Sequence, residues 1–356
     1  MSAELAAVAG FAIAAAGSFL ATPVAITVAR RTDFYDHPRE YRQHSRSTPL
    51  LGGASVLAGV LIAAIVIGGL TGRLLVLLGC AVGLWALGTA DDRSPVAPKW
   101  RLLAEAGASI ALLAAGLGFK TSGGGAVDAV LTLIWIVGLC NAFNLMDNLD
   151  GACGTVGCVS GLGIGTLAAI DGQATLAGLA FALAGACAAF LRWNLAAPAR
   201  VFLGDGGSMA IGFLVAALAM ATARGLHVGD ESLLAVGLLA GLPILDTTLV
   251  SVSRTRRGVP LVTGGRDHLS HRLLMALGSP RAVAATLGLV QAILCALAVA
   301  GARWGEAALA SFALVAVVAG VAAIVVLDSR RWRPPAIAVG DAEQRLRAAP
   351  VGADHG

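Results

Sequence analysis

Charge is what this sequence has least of. Of its 356 residues only 13% are Asp, Glu, Lys or Arg, against 57% hydrophobic ones, whereas a soluble globular domain carries about 25% charged residues. The deficit extends along nearly the whole length. It excludes an ordinary soluble domain and implies a chain that crosses a lipid bilayer several times. A large net charge is missing too. At +4 the balance is too mild for a nucleic-acid surface, and the arginines lie between apolar runs rather than in a stripe. The six cysteines (Cys80, Cys140, Cys153, Cys158, Cys187 and Cys295) show no CxxC and no Cys/His ligand spacing, so they read as small buried hydrophobes. No basic stretch precedes the first apolar run. Arg30 and Arg31 follow it, which reads as a retained span rather than a cleaved signal peptide. No internal repeat on the order of 20–50 residues and no soluble domain is visible.

What the sequence does have is a series of apolar runs of roughly 17–22 residues, each long enough to cross about 30 Å of hydrocarbon as a helix. They fall near 5–29, 49–70, 74–90, 102–118, 127–146, 154–170, 174–191, 208–223, 232–253, 282–301 and 307–327. The expected fold class is therefore all-α: a polytopic integral membrane protein with about eleven transmembrane helices. Residues 1–328 form one transmembrane domain. Residues 329–356, rich in Arg, Pro and Ala, form a cytoplasmic tail expected to be poorly ordered.

The cations give the orientation. Alternate connections (30–48, 91–101, 192–206, 254–281 and the tail) hold 21 of the 25 Lys and Arg residues, and the opposite ones hold only Arg73, Lys120, Arg224 and Arg303. The positive-inside rule then puts the N-terminus outside and the C-terminus in the cytoplasm. Every polar motif in the chain falls on the same cytoplasmic side.

Those motifs carry the chemistry. An acid inside or at the rim of a bilayer is costly unless it lines a wet or metal-filled site. Asp91-Asp92 close an apolar run. Adjacent side chains point in different directions, so one can face a substrate while the other holds a cation or an arginine. At a helix C-terminus both oppose the dipole, which weighs against a mere solvated end. In Asn141-Ala-Phe-Asn144-Leu-Met-Asp147-Asn148-Leu-Asp150-Gly151 the polar residues recur every third position as one ridge. Their hard oxygens suit Mg²⁺ or a nucleotide, and a helix cap alone would need one of them, not four. The glycine-rich Gly204-Asp205-Gly206-Gly207-Ser208 opens a helix, where backbone N–H groups can face an anion, although Asp205 or Ser208 could equally be a plain cap. Asp246 sits in an apolar run beside Pro243 and needs a partner; a buried arginine would serve. The last loop carries Arg254, Arg256, Arg257, Arg266, His268, His271, Arg272 and Arg281, suited to phosphate oxygens or to anionic headgroups. Arg254, at the membrane boundary, reads as a topological anchor whose loss would be nearly silent.

With these motifs in this order, from about Asp36 to Arg281, the chain resembles the polyprenyl-phosphate N-acetylhexosamine-1-phosphate transferases, which start bacterial cell-envelope glycans and eukaryotic N-glycans. The basic entry segment HPREYRQHSRSTPLLGG (37–53), with Arg42 and His44 as substrate-binding candidates, belongs to the likeness. The resemblance implies Asp91 and Asp92 as the catalytic pair. It implies Asn144, Asp147 and Asp150, with Asn141, for the nucleotide and metal site, and Asn144 and Asp205 as metal ligands. His268, His271 and Arg272 would act on the donor's pyrophosphate and sugar, with Asp246 and Arg266 beside them. The expected reaction moves a sugar 1-phosphate from a UDP-sugar donor to polyprenyl phosphate, with Mg²⁺ or Mn²⁺ as cofactor. It would run at the cytoplasmic face of an inner or plasma membrane, with no nucleic-acid partner and a homodimer left open. Arg42 stands where lysine is common, Arg101 aligns with another lysine, Asn148 replaces a frequent Gly and Ala152 a frequent Leu. Ser270 interrupts a histidine run, which favours simple N-acetylhexosamine donors over the alternative, a phospho-MurNAc-pentapeptide transferase. Two rivals stand apart. An ion-coupled transporter would keep its acids near the midplane and often shows repeats. A CDP-alcohol transferase needs a signature that is absent after Asp150-Gly151.

Overall fold

The structure is a computed structural model and describes residues 1–36, 47–68, 70–226, 232–261, 265–329 and 332. Arg42, His44 and most of the tail lie outside the described residues. Thirteen helices follow in order: α1 (Ala3–Arg31), α2 (Gly52–Val66), α3 (Gly72–Arg93), α4 (Pro98–Ala114), α5 (Gly125–Met146), α6 (Ala152–Ile170), α7 (Ala174–Asn194), α8 (Gly204–Ala223), α9 (Ser232–Leu239), α10 (Gly241–Arg257), α11 (Leu269–Leu277), α12 (Pro280–Trp304) and α13 (Glu306–Leu327). A two-residue antiparallel ladder pairs β1 (Tyr35–Asp36) with β2 (Thr48–Pro49).

The helices begin and end where local chemistry tells them to. Ser2 accepts from the Leu5 N–H at 3.3 Å, Glu4 lies in the first turn of α1, and Arg30 and Arg31 lie in the last. Each charge thus opposes the helix dipole end beside it. Ser279 caps α12 in the same way, ahead of Pro280. Glycine at positive φ ends α10 (Gly258, 66°) and α11 (Gly278, 68°).

Among the described residues, eight helices are long and apolar enough to cross a membrane, or nine with α9 and α10 taken as one span bent by 74°. The expected spans near 49–70 and 102–118 are shorter. α2 has 15 residues, and α4 has 17, with Lys99, Arg101 and Glu105 in its first half. The α9–α10 break precedes Pro243, whose ring cannot pack against the carbonyl four residues back. That carbonyl, on Leu239, accepts instead from Gln291 Nε2 (2.8 Å) and Ser160 Oγ (2.9 Å), and Gln291 Oε1 accepts from the Leu242 N–H (3.1 Å). One buried amide therefore satisfies both sides of the break, as apolar surroundings demand. α11 was not among the expected spans: it is a short amphipathic helix inside the last loop.

α8 is the axis of the bundle. Every residue of it except Asp205 is buried, among α2, α3, α5, α6, α7 and α9. Small residues let the backbones approach. A Cβ on Gly53 of α2 would lie 2.3 Å from Gly207 Cα, and one on Gly88 of α3 would lie 2.6 Å from Gly206 Cα. The glycine-rich start of α8 is thus wedged between α2 and α3. At the far end of α8 Arg224 Nη1 donates to Gly118 O (2.5 Å), just past α4. α13 is the outermost helix, with 11% of its apolar window buried.

Candidate active site

Asp92 and Asp91 diverge, as adjacent side chains must. Asp92 accepts from the Asp205 N–H at 2.9 Å and the Gly206 N–H at 3.4 Å. No side chain at the start of α8 caps it, so a carboxylate from α3 does so, where the dipole favours a negative charge. Gly204 makes the approach possible. Its φ is +77°, and a Cβ there would lie 2.6 Å from Asp92 Oδ2 and 2.7 Å from Leu50 O.

Asp91 turns the other way. Its Oδ1 accepts from the Val96 N–H (2.6 Å), fixing the α3–α4 turn, and its Oδ2 accepts from Arg101 Nη1 (2.7 Å). The same nitrogen reaches Asp205 Oδ2 at 3.3 Å, and Arg101 Nη2 donates to Asn144 Oδ1 at 2.8 Å. Asn144 Nδ2 donates to Ser208 Oγ (3.0 Å). One guanidinium thus joins the ends of α3, α5 and α8. Asp205 is the open member, its side chain 40% exposed.

A second polar layer lies one turn along α4. Glu105, fully buried, accepts from Asn141 Nδ2 at 2.7 Å, and its other oxygen is buried without a hydrogen-bond partner. Asn141 therefore serves the α4–α5 contact rather than the open cluster. Past the end of α5, burial drives the Asp147 carboxyl well above the usual carboxylate range, and the carboxylates of Asp205, Asp92 and Asp150 add to the effect. The turn carrying Asp150 is pinned from behind: the Gly151 N–H donates to Asn194 Oδ1 (2.7 Å), while Asn194 Nδ2 donates to Val201 O (3.0 Å).

The last loop forms an adjoining layer. Asp246 finds a histidine, not an arginine: its Oδ2 meets His268 Nδ1 at 2.9 Å, and its Oδ1 accepts from the Leu269 N–H at 2.6 Å. It caps α11 from α10 as Asp92 caps α8 from α3, and it fixes the imidazole ring. Ser270 Oγ donates to Asn148 Oδ1 (2.5 Å), tying α11 to the acidic ridge. His271 is partly buried. Burial, with the His268 and Arg266 charges, pushes it down to about 4, so the ring is neutral at pH 7. A cationic His271 on phosphate does not fit this setting.

Arg272 sits differently from its expected role on the donor. It is fully buried, donating to Asp267 O (2.9 Å), Ser253 Oγ (3.0 Å) and Leu327 O. Its fork is spent on holding α10, α11 and the end of α13 together. Arg254 is not a bare boundary charge either. It is buried and grips both Asp267 oxygens (3.0 and 2.8 Å) and Leu261 O (2.6 Å). Burial alone would raise the Asp267 carboxyl, but the Arg254 and Arg257 forks and His268 hold it at about 2.

Of the expected residues, Asp91, Asp92, Asn144 and Asp205 therefore converge in one cluster. Asp246 and His268 form a dyad beside it, and Asp147 and Asp150 lie on the ridge between them. Arg101 and Glu105 were not among the expected site residues. Their i, i+4 spacing in an apolar run was the available signal.

Among the described residues no group of three or more His, Cys, Asp or Glu side chains forms a metal cage. A full cage is not what Mg²⁺ needs, since it binds through one or two carboxylates plus substrate phosphates. The donor set fits that pattern: Asp205 and Asn144 present hard oxygens to a cation already, that of Arg101.

The model of glycosyl transferase family 4 matches residues 74–223, which includes the Asp91/Asp92, Asn144 and Asp205 motifs. The undecaprenyl-phosphate alpha-N-acetylglucosaminyl 1-phosphate transferase of Escherichia coli K12 is 30% identical over 285 residues, covering 76% of this chain and 77% of that protein. The protein of the same name from Yersinia pestis is 30% identical over 293 residues, covering 79% and 80%.

Proposed function

The chain belongs to glycosyl transferase family 4, and on that premise we propose that it transfers an N-acetylhexosamine 1-phosphate from a UDP-sugar to polyprenyl phosphate. The products are polyprenyl-diphospho-sugar and UMP. The single observation that carries the reading is the cluster in which Arg101 joins Asp91, Asp205 and Asn144, at a helix start capped by Asp92.

A phosphate oxygen of the lipid attacks the donor's β-phosphorus. The P–O bond from that phosphorus to the bridging oxygen breaks, and the electron pair leaves with UMP. Two anions must meet for this to happen, so catalysis is chiefly positioning and charge stabilisation. Asp205 and Asn144 would hold a Mg²⁺ or Mn²⁺ ion, which when bound would supply charge neutralisation to the pyrophosphate. Asp92 fixes the turn that carries Asp205. Asp91 and Arg101 face the open cluster, where the carboxylate can position or deprotonate the lipid phosphate and the fork can bind phosphate oxygens. His268, oriented by Asp246, offers its remaining ring nitrogen to the donor. A long isoprenoid acceptor accounts for a site at the rim of a membrane bundle, and a cytoplasmic UDP-sugar accounts for its side. The topology we propose has eleven crossings in an inner or plasma membrane, with α2, α4 and the bent α9–α10 pair among them, the N-terminus outside and the C-terminus in the cytoplasm.

The test is UMP release by the purified protein from a panel of UDP-sugars. We expect turnover of a UDP-N-acetylhexosamine that requires polyprenyl phosphate and a divalent cation and falls sharply in Asp205→Asn. No UMP from any UDP-N-acetylhexosamine would overturn the reaction. Full turnover in excess chelator would overturn the metal.

A further inference from the structure

Arg101 carries an inference that rests on the proposal that Asn144 and Asp205 hold a divalent cation. Its fork lies on both of those oxygens, 2.8 Å from Asn144 Oδ1 and 3.3 Å from Asp205 Oδ2, while a third contact holds it to Asp91 Oδ2 at 2.7 Å. Asn144 cannot turn its oxygen elsewhere freely, because its amide nitrogen donates to Ser208. A divalent ion bound directly to the same two oxygens would sit within a few Å of the guanidinium, where like charges repel strongly in a partly dehydrated site. The two cations therefore exclude each other from Asp205 and Asn144.

We propose that Arg101 is a tethered cation that exchanges with the divalent ion. Entry of the ion expels the fork from Asp205 and Asn144. Asp91 keeps the released fork at the mouth of the cluster, where planar bidentate donors suit a phosphate. The protein thereby couples ion binding to donor binding: the ion frees the donor's ligand, and the donor gives the displaced arginine a new partner. Arg101 is thus a positioning residue for the metal before it is a ligand for the substrate. The sign is distinctive. A residue that merely supports the site would weaken metal binding when lost, whereas an exchanging cation strengthens it.

The experiment is Mn²⁺ binding to full-length protein in detergent without donor, read by electron paramagnetic resonance of free Mn²⁺. Arg101→Gln should bind Mn²⁺ roughly tenfold more tightly than wild type, the scale of one charge-assisted hydrogen bond. Adding UDP should tighten Mn²⁺ binding more in wild type than in Arg101→Gln. Unchanged or weaker Mn²⁺ binding in Arg101→Gln overturns the exchange. Should that variant fail to remain folded, Arg101→Met answers the same question. It keeps a long side chain and removes the charge, so its affinity should lie above wild type, and wild-type or lower affinity overturns the exchange. Asp205→Asn separates the layers. If it binds Mn²⁺ as wild type does, the metal site itself falls. If it binds weakly while Arg101→Gln shows no gain, only the exchange falls.

Discussion

Asp91 and Asp92 show how far two adjacent carboxylates can be driven apart by their neighbours. Asp92 spends both oxygens on the N-terminus of α8, while Asp91 gives one oxygen to the Val96 N–H and the other to Arg101. Substitution should separate them. Asp92→Ala removes a helix cap and should lower thermal stability by about 1–2 kcal/mol, whereas Asp91→Asn should leave stability near wild type and cut kcat at least roughly tenfold more than its own effect on folding accounts for. Melting temperature and kcat on the same preparations check this, and equal, mild effects would reduce both to surface charges. The titrating groups of the last loop add a pH dependence of definite sign. His271 sits at about 4, below its ordinary 6.5, so the folded chain resists a proton that the unfolded chain accepts. The stability this supplies is complete above pH 6.5 and is lost as pH falls toward 4. Asp267, at about 2 against 3.8, supplies stability that is complete above pH 3.8 and is lost only below it. The His271 contribution to melting temperature in detergent should therefore be flat from pH 8 to 7 and decline from 6.5 downward, read as the difference between wild type and His271→Gln because the raised Asp147 carboxyl acts with the opposite sign. His271→Gln should remove the upper part of that decline, and a variant curve parallel to wild type would contradict the assignment.

Between elements, acids and arginines do what sheet ladders do in soluble folds: they fix register. Asp92 sets α3 against α8, Asp246 sets α10 against α11, and Arg272 sets α11 against α10 and the end of α13. Arg256 joins this last group by pairing with the buried Asp328 at 2.7 Å. A buried guanidinium with all its acceptors inside the protein stabilises strongly only while its partners remain, and removing it leaves them unpaired. Arg272→Ala should therefore cost on the order of 3–5 kcal/mol of stability, seen as poor yield and a lower melting temperature. Arg254→Ala should be destabilising too, because it leaves the buried Asp267 carboxylate with Arg257 as its one remaining fork. His271→Ala makes no such lattice and should be milder in stability. A silent Arg254→Ala would mean that the lattice is decorative.

At the scale of the molecule, the bundle has two chemically different ends. Every motif-bearing helix end meets at one, while Arg224 reaches Gly118, just past α4, at the other. The topology proposed here is checked by single cysteines introduced at Lys99 and Lys120 in a background lacking the native cysteines. A membrane-impermeant maleimide applied to intact spheroplasts should label the cysteine at 120 and spare the one at 99. The reverse pattern would invert the protein and move the site to the outer face.

The sequence by itself determined what the solvent imposes. A charge deficit spread over eleven apolar runs can only mean helices, because a lone segment in hydrocarbon must satisfy its own backbone. The recurrence of acids at alternate run ends put them at one end of the bundle, and the spacing of Asn144, Asp147 and Asp150 marked the ridge. What it could not determine was partnership. Whether Asp92 or Asp91 meets Arg101 depends on which helix start lies opposite α3. Whether Arg272 meets a phosphate or the Leu327 carbonyl depends on where α13 ends in space. A hydropathy pattern is set residue by residue along the chain, whereas a charged side chain's role is set by whatever the fold brings within about 3 Å of it. Arg101, in the first turn of α4, owes its central place to tertiary structure: α3, α5 and α8 each deliver one oxygen to it.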